Sequence, residues 1–85
     1  MEESGRRVEI LCYIAQNIVS PMFDASNEIY NHWVVDFSNW CVYQSNHTDD
    51  EFVGYLRQQV QKLPNELIPI WDDKLNKFQN WLKQI

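Results

Sequence analysis

A chain of 85 residues makes one domain, near the lower end of what folds without disulfide or metal staples. Two glycines and three prolines against four tryptophans, four tyrosines and four phenylalanines suit long helices around an aromatic core and argue against a turn-rich β protein. Twelve acids against seven bases give a net charge of −5, a field that repels phosphate backbones and argues against direct nucleic-acid binding.

The charge is unevenly placed. Between Arg7 and Arg57 there is no Lys or Arg, against seven acids: Glu9, Asp24, Glu28, Asp36, Asp49, Asp50 and Glu51. From Arg57 onward five bases outnumber three acids. Such a middle favours encounter with a basic protein surface. The apolar run after Arg7 is soon broken by Glu9, Gln16 and Asn17, which fits no signal peptide, and no run approaches the roughly 18 residues of a membrane span. The chain is read as cytoplasmic, with no membrane partner. Asn46-His47-Thr48 has the glycosylation pattern, read as a chance match.

The first helix is expected over 5–19. Val8, Leu11, Cys12, Ala15, Ile18 and Val19 cluster on one side, and Ile10 and Ile14 widen the apolar arc past half the circumference. Its β-branched residues keep a buried strand over 8–14 as the competing reading. Ser20-Pro21 opens the second helix, 21–44, unless it starts at Asp24 or Ser26 with Met22 and Phe23 docked as an apolar corner. On it Ile29, Tyr30, Trp33, Phe37, Trp40 and Cys41 share one broad face at about 100° per residue. A narrower stripe of Val35 and Val42 lies nearly opposite, among Glu28, Asn31, Ser38 and Asn39.

Ser45-Asn46-His47 reads as a polar turn. Thr48-Asp49-Asp50-Glu51 has capping-box spacing, and Asp49 and Asp50 sit where the helix dipole favours negative charge. The third helix, 49–63, should bury Phe52, Leu56, Gln59 and Leu63, flanked by Val53, Tyr55 and Val60, with Gly54 facing outward. Pro64 and Pro69 bracket a single turn. The fourth helix, 70–85, carries Trp71, Leu75, Phe78, Leu82 and Ile85 as one stripe, with Asp72 and Asp73 in its first turn and Lys83 in its last. The expected fold is all-α: a small up-down four-helix bundle in one domain, 1–85, packed around Trp33, Phe37 and Trp40.

The chemical inventory is short. Two cysteines, Cys12 and Cys41, cannot make a four-ligand zinc site, and neither spacing to His32 or His47 matches a ligand pattern. They are expected to be buried, reduced thiols. No metal, cofactor or catalytic residue is assigned. His32 and Asp36, at i, i+4, form an imidazole–carboxylate pair without nucleophile or third partner, which a helix-surface contact explains better than catalysis.

Size, acidity and lack of catalytic apparatus are similar to those of many bacteriocin-immunity and phage anti-defence inhibitors, a resemblance of class that carries over no residue. The leading expectation is a non-enzymatic protein-binding module, an inhibitor or adaptor docking on a basic surface of a larger partner such as a nuclease complex. Its partner-binding residues would be Glu28, Val35, Asp36, Val42, Asp49 and Asp50. The alternatives are a helical homo-oligomer, such as a homodimer, or obligate subunit paired through the first helix, and a small-ligand binder or enzyme using His32 and Asp36 in an aromatic cleft.

Overall fold

The computed structural model describes residues 2–43 and 48–85, excepting the side chains of 2–4, 42 and 43. It is all-α, with no strand among the described residues: α1 Glu2–Ile14, running on into a π-helical turn Ala15–Val19, then α2 Met22–Ala25, α3 Asn27–Tyr43, α4 Asp49–Gln61 and α5 Ile68–Leu82. The strand alternative over 8–14 is therefore gone. The chain divides into two compact units, Met1–Asn46 and His47–Ile85.

In the first unit α1 buries Ile10 and Ile14 and, through the π turn, Ile18 and Val19. This corrects the expected face. Val8 is 58% exposed, Cys12 and Ala15 are exposed, and Leu11 is half-buried. A helix apolar over more than half its circumference offers two candidate faces, and packing takes the isoleucine side. The π turn then closes with Ser20 N–H donating to the Ala15 carbonyl at 2.9 Å, an i→i+5 bond that fits one extra residue into the turn. Ile18 and Val19 thereby both reach the interior.

Pro21 precedes the four-residue α2, whose Met22 is fully buried. Ser26, with extended backbone, breaks the helix there, and its Oγ accepts from the Ile29 amide at 3.3 Å. The second predicted helix is thus two, with Ser26 opening the longer one as an N-cap does. α3 returns against the π turn. Of its broad aromatic face only Trp33 is buried, while Ile29, Tyr30, Phe37, Trp40 and Cys41 are half-buried. Phe37 and Trp40 stack with ring centroids 6.2 Å apart.

The second unit is an α4–α5 pair. The capping box forms as expected: the Glu51 amide donates to Thr48 Oγ1 at 3.2 Å, and the Thr48 amide donates to Glu51 Oε1 at 2.8 Å. α4 buries Phe52, Leu56 and Val60, with Leu63 just beyond its end; Gln59, expected inside, is half-buried. Its backbone leaves the helix after Gln61 and turns through Pro64, whose carbonyl accepts from the Leu67 amide at 2.9 Å. That turn delivers helical backbone directly into α5, which starts at Ile68 despite the following proline. Proline lacks only an amide that the first turn leaves unused. Asp72 and Asp73 consequently lie beyond the first turn. Trp71, Leu75, Phe78 and Leu82 are buried, but Ile85 is 41% exposed because the helix ends at Leu82. Lys74 stands 5.5 Å from the Trp71 ring centroid, and Lys77 pairs with Asp73 at 3.3 Å on the exposed side.

Candidate functional site

The candidate partner-binding residues fall into two sets. Glu28, Val35 and Asp36 are carried by α3 in the first unit; Asp49 and Asp50 open α4 in the second. The Val42 side chain lies outside the described residues, as do the predicted Ser45-Asn46-His47 turn and the Asn46 acceptor.

On α3 the outward positions are set by its buried ones. With Trp33 inside, Glu28, Asn31, His32, Val34, Val35, Ser38 and Asn39 are exposed, and Asp36 is half-buried at the margin. Val35 is 61% exposed. Val34, 38% exposed, had no place in the expected stripe. It stands one residue round the helix from Trp33, and only the incomplete covering of the aromatic face makes it visible to solvent. Asn31 Nδ2 donates to Asn27 Oδ1 at 3.0 Å, a polar pair on the same exposed side. His32 is on the surface and Asp36 at the edge of the interior, so the pair sits on a helix face.

Asp49 and Asp50, together with Val53, Gln79, Leu82 and Lys83, line an open recess of about 210 Å³ at the start of α4. Asp49 is half-buried and Asp50 exposed. Both lie in the first turn of α4, where the helix dipole favours carboxylates, and this local role is enough to explain their placement. Beside them Arg57 donates to Gln79 Oε1 at 2.7 Å, tying α4 to α5.

The two thiols are free and differ in setting. Cys12 is exposed, against expectation, because the face of α1 that carries it is the one the fold leaves outside. Cys41 is half-buried. Burial pushes its thiol above the ordinary value, and the Arg7 guanidinium pulls the other way. Among the described residues no group of three or more His, Cys, Asp or Glu side chains is placed to hold a metal ion, and no helix is long and apolar enough to cross a membrane.

Compared with protein-family models, curated proteins and solved structures, the chain matches none of them. The site is therefore read from its own chemistry.

Proposed function

We propose that this protein is a small acidic, non-enzymatic protein-binding module, an inhibitor or adaptor of the immunity or anti-defence type. It acts in the cytoplasm by docking on a basic surface of a larger partner, such as a nuclease complex. The observation that carries the reading is α3: a helix with no lysine or arginine that presents Val35 to solvent beside Glu28, with Val34 exposed further round it and Asp36 at its margin. Exposed apolar anchors ringed by acid suit a cationic, grooved surface. In this reading the chain is one functional domain, and its helices form an up-down four-helix bundle. Glu28→Lys combined with Asp36→Lys tests it, in a pull-down from host extract at low and high salt followed by affinity measurement on the retained partner. Binding should weaken and its salt dependence flatten; unchanged affinity removes the reading.

A second reading has its own observation. Val8, Cys12 and Ala15 leave an apolar stripe on α1 exposed at i, i+4 and i+7, with half-buried Leu11 at its edge. A helix pairing with a copy of itself or with another chain would cover it. Sedimentation decides for the homo-oligomer: a monomer at micromolar concentration counts against it.

A further inference from the structure

At the junction of α2 and α3 the fold buries the smaller of two adjacent apolar side chains and exposes the larger. Met22 is fully buried, while Phe23 is 52% exposed. The cause is the break at Ser26, which limits α2 to a single turn anchored by Met22 and swings Phe23 outward. There its ring meets Tyr30 edge-on, with centroids 5.2 Å apart and planes at 90°. Tyr30 is half-buried, and Val34, one helical turn further along, is exposed. Phe23, Tyr30 and Val34 thus make an apolar strip along one edge of α3.

The charge next to the strip is acidic: Asp24 follows Phe23 and is exposed, while Glu28, in the first turn of α3, is exposed on the Val35 side of the helix. The unit's only Lys or Arg residues, Arg6 and Arg7, belong to α1, and Arg7 acts on Cys41, near the C-terminal end of α3 and away from Tyr30.

We infer that Phe23, Tyr30 and Val34 form the anchor of a protein interface whose occupant is a cationic segment presenting arginine. A planar guanidinium stacks on an exposed aromatic ring and donates its N–H groups to a neighbouring carboxylate, here Asp24. An aliphatic side chain from the same segment covers Val34. This rests on the acidic-binding reading above and moves its apolar anchor from the Val35 face to the α2–α3 edge.

The test is an NMR titration of the ¹⁵N-labelled full chain with a short peptide alternating arginine and leucine, repeated with its lysine–leucine counterpart. Perturbations should centre on the amides of Phe23, Tyr30 and Val34, with the arginine peptide binding more tightly than the lysine one. Phe23→Ala should weaken it about tenfold, the scale of a hot-spot aromatic. Val34→Ser should weaken it less and Val35→Ala leave it unchanged, with unaltered amide spectra elsewhere verifying the fold of each variant. Perturbations confined to Glu28 and Val35 would overturn this inference while leaving the acidic-binding reading standing. Absence of any perturbation, equal affinity for the lysine peptide, or concentration-dependent broadening of the strip without peptide, which would assign it to a second copy, would each overturn it as well.

Discussion

The two compact units solve the same problem differently. In His47–Ile85, two helices of similar length bury Phe52, Leu56, Val60, Leu63, Trp71, Leu75, Phe78 and Leu82, and the flanking charges are nearly balanced, six acids against five bases. In Met1–Asn46, six acids face only two arginines, Trp33 alone is buried among the described aromatic side chains of α3, and Val8, Phe23, Val34 and Val35 stand in water. Acidity and the larger share of uncovered apolar surface coincide in one half of the chain: among the described residues four large apolar side chains are exposed there, against Ile70 and Ile85 in the second unit. Solvated charge alone explains the first property; it does not explain the second. Under the proposed function, the α4–α5 pair would do structural work and α1–α3 would make the contacts.

Truncation of side chains sharpens this contrast most. Phe78→Ala, at a fully buried position, should cost about 3–5 kcal/mol, and Met22→Ala, equally buried in the first unit, about 2–5 kcal/mol. Val35→Ala should stay within about 0.5 kcal/mol, as exposed substitutions do. Urea unfolding followed by far-UV circular dichroism measures all three. A Val35 variant as damaging as the Met22 one would mean that the α3 face is already covered, and the comparison would break.

The second unit was the more legible of the two. Trp71, Leu75, Phe78 and Leu82 repeat on one narrow stripe with mostly polar residues on the other sides, so periodicity has one solution. Thr48 and Glu51 announce the start of α4 by side-chain chemistry alone. In α1 the same method has too much to choose from: Ile10 and Ile14 compete with Val8, Cys12 and Ala15, and only tertiary packing decides. A strict 3.6-residue template also has no place for the π turn that brings both Ile18 and Val19 inside. Of the candidate site, the exposure of Glu28 and Val35 followed from their position opposite Trp33. Phe23 and Val34 did not, because their exposure depends on the break at Ser26 and on how little of the aromatic face is covered. Ile85 kept its place in the periodic pattern but lost its burial when the helix ended three residues earlier.

Smaller effects probe how far local structure alone holds the second unit. Thr48→Ala removes one half of the capping box and should cost about 1 kcal/mol. Gly54 should do the reverse. It is exposed in the middle of α4, and a Cβ built there meets nothing within 4 Å. Gly54→Ala should therefore stabilise by about 1 kcal/mol, since alanine loses less backbone freedom in a helix. A destabilised Gly54→Ala variant in the same urea assay would show that the outer face of α4 is in close contact with something, and the second unit would then share the contact role given to the first.

The finest test lies within the first unit, between its two thiols. Alkylation requires the thiolate, so the exposed Cys12 should react with iodoacetamide before Cys41, whose burial both restricts access and raises its pKa. Arg7 partly offsets that rise, so Arg7→Gln should slow Cys41 further and leave Cys12 unchanged. The same shift has a stability consequence of definite sign. With the folded-state pKa above the ordinary value of 9.0, the native chain holds the Cys41 proton more tightly than the unfolded one. The associated stabilisation is complete below that ordinary value and is lost as pH rises through the folded-state pKa, and Cys41→Ala should remove this part of the alkaline slope. Equal alkylation rates for the two cysteines would mean that the aromatic face of α3 opens readily around Cys41. The half-covered interior would then be mobile as well as exposed, and an incoming partner would have to order it.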